Sequence, residues 1–223
     1  MLQATLSALQ MENDPRCAAI VETFRATVAS ATDEKPIQRF LEEHPFVLPH
    51  SATHVARRVV IPQFPLIDRF VPDFAYIAYN SAGCWLRLIE IESPTKQIFR
   101  EDNHFREPYR TALQQTSDWL DWCRTPENFA IIRRRLKPLL DGTITPESLS
   151  VECVFVCGRR SELSSPERKR RYRELVKQND LHTEIMTYDR MLDNMHAAFW
   201  RIEQIRCVRF HNEDSFAASL ADS

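Results

Sequence analysis

The sequence predicts a mixed α/β fold: a central sheet flanked by helices, with a helical segment at the N-terminus. Three observations carry this. Stretches with a period of two in their apolar residues gather between positions 55 and 93. Stretches with helical spacing come before and after them. A further apolar run, SVECVFVCG (150–158), lies between two helical stretches, as a buried strand does in a layered α/β domain.

Taken in order, residues 1–31 read as helical, with a break near Asn13-Asp14-Pro15. In TDEKPIQRFLEEHP, Thr32 or Asp33 caps a second helix, acidic residues occupy its first turn, and Pro45 ends it. Ile37, Phe40 and Leu41 share its inner face. VARRVVIP is a strand, and RFVPDFAYIAY (69–79) a second. Asn80 to Gly83 form a turn into a third, CWLRLIEIES (84–93), so these two strands make an antiparallel hairpin. FREPYRTALQQTSDWLDWC is a helix with Leu113, Trp119, Leu120 and Trp122 inward, and 128–140 is another. After the apolar run come a basic helix, SPERKRRYRELVKQN, a short strand at 182–188, the helix DRMLDNMHAAFWRIEQ and a last strand in IRCVRFHN. From 212 the chain is polar and expected to fray. The expected organisation is a helical arm (1–31), a core domain (32–211) and a flexible tail (212–223).

Composition excludes several classes. The formal net charge is -2, so affinity for a polyanion must come from a local patch. No run approaches the roughly 18 apolar residues that span a bilayer, so no membrane partner is expected. The first residues lack the pattern of a secretory signal, and the six cysteines are scattered, which suits a reducing, cytoplasmic setting. Only three glycines occur, too few and too dispersed for a phosphate-binding loop or a dinucleotide fingerprint. Cys153 and Cys157 stand roughly 13 Å apart along a strand, too far to share one ion.

The chemistry concentrates in acids. Glu90 and Glu92 are two apart at the end of the third strand and face the same way. Through the hairpin, Asp73 comes opposite that end. Two such charges about 4 Å apart repel by about 4 kcal/mol at an effective dielectric near 20. Three together either raise their own pKa values or recruit a divalent cation, and oxygen donors favour Mg2+ or Mn2+. The alternative is that Glu90 and Glu92 face solvent or pair with Arg87 and Lys96.

The pattern Asp73…Glu90-x-Glu92 resembles the core of the PD-(D/E)xK nuclease superfamily. More closely, the chain resembles the Shedu anti-phage family through FLEEHPFVL, VIPQF, PDFAYI, LIEIESP, ALQQTSDW, FVCGRRSEL and EIMTYDRML, in order over roughly residues 37 to 195. The resemblance implies a restriction-endonuclease-like core, Mg2+-dependent cleavage of DNA, and homo-oligomeric assembly. It implies Asp73 and Glu90 as metal ligands, joined by Glu92 in the reading of the acidic cluster. It also implies Gln115 on the helix with Trp119, and an assisting glutamate, Glu42 or Glu43, on the preceding helix. One departure stands out: the family's lysine position holds Glu92. Lys96, beyond Pro94, is the candidate to fold back and supply that cation. The exchange also opens a second reading, a catalytically inactive module that binds nucleic acid or a protein.

Basic residues complete the set of candidates. Arg168, Lys169, Arg170 and Arg171 form a phosphate-contacting patch in one reading and a solvated helix flank in the other. Arg159 and Arg160, just past a core strand, are better placed, because strand ends border sites in α/β sheets.

Overall fold

The computed structural model describes residues 15–48, 54–66, 70–140, 149–179, 182–198 and 204–221. The helix expected over the first fourteen residues lies outside these. Two helices come first, α1 (Pro15–Ser30) and α2 (Lys35–Glu43). Then come strands β1 (His54–Val55), β2 (Val59–Pro62), β3 (Phe74–Asn80) and β4 (Gly83–Ile91). Helices α3 (Glu107–Arg124) and α4 (Pro126–Leu136) lead to β5 (Leu149–Val156). Next are α5 (Pro166–Asn179), β6 (Thr183–Met186), α6 (Tyr188–Ala198), β7 (Arg206–Cys207) and α7 (Glu213–Ala221).

The strands form one mixed sheet in the order β6-β5-β4-β3-β2-β7, with β1 also paired to β3. β2, β3 and β4 are antiparallel neighbours, whereas β5 and β6 run parallel to β4. The hairpin is as expected: Asn80 pairs with Gly83 across a tight turn, and the Asn80 carboxamide accepts the Ala82 N–H at 2.7 Å.

Alternation along the strands builds two cores. Phe74, Tyr76, Ile89, Ile91, Val154 and Val156 face α1, α2 and α6. Ala75, Ile77, Leu86, Leu88 and Cys153 face α3, α4 and α7, where Trp119 is fully buried. Both faces are covered, which is why β4 and β5 read as apolar runs rather than clean alternations. Cys153 and Cys157 are buried free thiols.

Three segments depart from expectation. The strand expected over 55–62 is split by a turn at Ala56–Arg58, where Arg57 and Arg58 have φ of 50° and 56°. No glycine marks that break in the sequence. Over 15–30 the N-terminal segment is part of the core rather than a separate arm, since Cys17, Val21, Phe24 and Val28 of α1 are buried in the first core. The tail is not frayed over 213–221 either. There α7 buries Phe216 and Leu220 in the second core, so two well-spaced apolar residues outweigh the polar composition around them.

Candidate active site

The ladder between β3 and β4 pairs Phe74 with Ile89. Continued by one residue, it sets Asp73 opposite Glu90. Residues directly opposite in an antiparallel pair share a face, with Cβ atoms roughly 4.5–5.5 Å apart. Alternation assigns that face to α3, since Ala75 and Leu88, two residues further in, belong to the core under it. Asp73 is fixed twice. Its Oδ2 accepts the Ile91 N–H at 2.8 Å, and its carbonyl accepts the Gln63 N–H at 2.7 Å.

Both carboxyls are disfavoured as anions. Burial pushes Asp73 up to about 7, against the pull of the Ile91 N–H, with Glu34 and Glu92 adding to the rise. Burial also pushes Glu90 up to about 9, and Asp73 and Glu92 raise it further, while Lys96 opposes them. Two half-buried carboxyls on one face with little compensating charge are an arrangement that a cation relieves.

The surrounding residues come from three elements. Gln115 of α3 donates from Nε2 to Glu90 Oε1 at 3.1 Å. It stands one helical turn from Trp119, whose burial anchors that face of the helix. Glu92 continues past β4, its N–H donating to the Val156 carbonyl at 2.9 Å. Its side chain meets Lys96, with Nζ 2.5 Å from Oε2. The chain therefore does turn back after Pro94 and bring an ammonium to the acids. The pairing of Glu90 with Arg87 is absent: Arg87 points to the other face and bridges Glu152 and Glu184 at 2.6 and 3.3 Å.

The assisting glutamate differs from expectation. Glu43 ends α2, and Glu42 beside it accepts from Arg209 at 2.5 Å and from Gln38 at 3.0 Å. The acid whose field reaches Asp73 and Glu90 is Glu34, at the other end of the helix. With about 1.5 Å of rise per residue, the two ends of α2 lie some 12 Å apart. Glu34 is placed by a long-range contact: Ser93 and Thr95 donate their hydroxyls to the Thr32 carbonyl at 3.2 and 3.4 Å, so the start of α2 docks on the turn after β4. The acidic first turn was the only sequence signal of this.

Among the described residues, no three His, Cys, Asp or Glu side chains converge closely enough to hold an ion unaided. The expected set of Asp73, Glu90 and Glu92 thus reduces to two facing carboxyls plus a glutamate turned to a lysine. A groove of about 540 Å³ lies alongside, where Arg110, Thr111, Gln114 and Gln115 share the lining with two acids, Glu107 and Asp118.

The basic candidates lie elsewhere. Arg159 forms a two-pronged pair with Asp189, both contacts at 3.0 Å, and Arg160 pairs with Asp193. Arg168 donates to Asn103 at 2.8 Å and to the Arg100 carbonyl at 2.9 Å, so it ties a loop down. Arg170 and Arg171 pair with Glu174 and Glu167 on α5 itself. Lys169 shares that helix, which packs on β6, two strands from β4.

No helix among the described residues is long and apolar enough to cross a membrane. Comparison with curated proteins gives no match. Among solved structures, the chain is similar to the restriction endonuclease FokI bound to DNA, at 10% identity and a TM-score of 0.41. That similarity covers 87% of this chain and 30% of the other, so the chain spans under a third of that enzyme's length. The family described as Shedu protein SduA, C-terminal, matches residues 31–192. That is most of the sequence, and the chain belongs to the Shedu family.

Proposed function

We propose that this chain is a metal-dependent DNA endonuclease of PD-(D/E)xK type acting in anti-phage defence, with Asp73 and Glu90 as the protein ligands of Mg2+ or Mn2+. The observation that carries this reading is the pair of half-buried carboxyls facing one another across β3 and β4, both raised well above the usual carboxylate range. The donor set fits such an ion. Mg2+ takes one or two carboxylates and completes its shell with water and substrate phosphate, so two protein ligands suffice. When bound, the ion would polarise a phosphodiester and lower the pKa of a water.

The chain's own residues do the rest. Gln115 holds the Glu90 carboxylate in one orientation, and its amide borders the groove where a strand would lie. Glu92 takes the family's lysine position and serves as a tether, holding Lys96 close to Glu90. The ammonium is then available to the negative charge that develops at phosphorus. Glu34 strengthens the negative field that draws a cation in. Arg110, in the groove beside Gln115, is suited to a flanking phosphate. Arg159 and Arg168 are committed to internal partners, so Arg110 is a better candidate than either for DNA contact. The family resemblance brings homo-oligomeric assembly into the same proposal, and the scattered cysteines bring a cytoplasmic setting.

Incubation with supercoiled plasmid tests it. Nicked or linear product should form with Mg2+ or Mn2+ and vanish with EDTA. Glu90→Ala should lose at least ~10³-fold in rate and Lys96→Ala ~10²-fold, the loss typical of one charge-stabilising donor. DNA retention without metal-dependent cutting would instead support the second reading, a non-catalytic binding module. The glutamate at the lysine position is the observation that favours that alternative.

A further inference from the structure

A cleft of about 630 Å³ lies at the β6 edge of the sheet, away from Asp73 and Glu90. β6 ends the strand order, so among the described residues no strand pairs with its outer side. The carbonyls of His182 and Met186 accept from Cys153 and Cys157 of β5, at 2.8 and 3.1 Å. Backbone groups alternate sides along a strand, so Glu184 also bonds inward. The N–H and C=O of Thr183 and Ile185 are then left unpaired on the cleft side, under side chains that leave these residues 2% and 5% exposed and that a docking strand must part.

Cations frame this open edge. Arg173 and Lys177, one turn apart on α5, line one wall, and Arg190 of α6 lines the other. Lys177 and Arg190 hold no ion pair among the described residues, and Arg173 donates only to the Lys169 carbonyl. The two carboxylates in the lining, Glu152 and Glu184, are both bridged by Arg87. The cleft therefore carries net positive charge beside a row of unmet backbone donors and acceptors.

We propose that this edge is a docking groove for an extended acidic peptide, which adds to β6 as a further strand. A peptide offers both N–H and C=O in the strand pattern, and acidic side chains answer the three cations. A DNA strand fits less well: its phosphates only accept, and the outward carbonyls of Thr183 and Ile185 would face them. A second copy of this chain fits less well too, because edge-to-edge pairing sets the same cations against one another.

The test is fluorescence anisotropy with a labelled heptapeptide of alternating glutamate and valine, titrated against the full chain. Saturable binding is expected, weakened at least ~10-fold by Arg173→Glu combined with Lys177→Glu, two exposed positions. N-methylation of the alternate amides that pair with the edge should abolish binding, while N-methylation of the intervening amides should not. This comparison needs no variant to fold. Indifference to both methylation patterns overturns the proposal. So does an absence of peptide binding, in which case the cations only keep copies apart. So does a short labelled DNA duplex that binds through Arg173 and Lys177 where the peptide does not.

Discussion

Asp73 and Glu90 were legible in the sequence because a hairpin with a short polar turn fixes its own register. Once Asn80 and Gly83 close the turn, the pairing follows by counting back along both strands. Gln115 came from the family resemblance, with which its helical spacing to Trp119 is compatible. Glu34 was not legible, because its place depends on Thr32 meeting Ser93 and Thr95, sixty residues away in the chain. Local spacing carries no information about such a contact. The residue scale also yields a stability prediction. With no metal bound, Glu90 is a half-buried carboxyl among other acids. Glu90→Gln keeps the shape and the carbonyl that accepts from Gln115, and removes the cost of keeping a carboxyl protonated at a pH where the unfolded chain ionises it. It should raise stability in EDTA at pH 8 by about 1–2 kcal/mol while abolishing cleavage, a trade common at active sites. Urea unfolding of the two proteins side by side measures it.

At the scale of elements, helices and strands with strong periodicity appear where expected, and the exceptions have local causes. The β1–β2 break rests on two arginines in the left-handed region, a conformation that a glycine would have advertised. Gly158, by contrast, is demanded by its place after β5: its φ is +68°, and a Cβ there would stand 2.6 Å from Ile98. α7 escaped notice because its apolar residues are few, though Phe216 is fully buried. Phe216→Ala should therefore cost about 3–5 kcal/mol in denaturant unfolding, where a frayed tail would give almost nothing. The joint between β5 and α6 makes a prediction about pH. Burial alone would raise the Asp189 carboxyl, but the Arg159 guanidinium and the Arg160 N–H together hold it below the usual range. A carboxyl lowered by folding stabilises the fold above its unfolded pKa, near 4, and loses that contribution as pH falls through the lower folded value. Asp189→Asn should then destabilise by about 1 kcal/mol at pH 7, the pair being partly solvated, and progressively less below pH 4. Thermal melts across pH 3 to 7 give that profile.

In the whole molecule, two helical layers enclose a mixed sheet, and the candidate site lies where the antiparallel hairpin meets its parallel half. β4 belongs to both: it pairs antiparallel with β3, which brings Asp73, and parallel with β5, whose ladder carries Glu92 outward to Lys96. The layer order was legible from alternating strand and helix signals. The incorporation of α1 and α7 was not, because docking of terminal helices depends on which faces the core leaves open. The proposed activity rests on the acids of β3 and β4 acting together on a divalent cation. The most direct measurement is a Mn2+ titration followed by electron paramagnetic resonance, on the unaltered chain and on Asp73→Asn. One bound ion is predicted for the unaltered chain, with affinity at least ~10-fold weaker in the variant. Equal Mn2+ binding by the two proteins, or none by either, would contradict it.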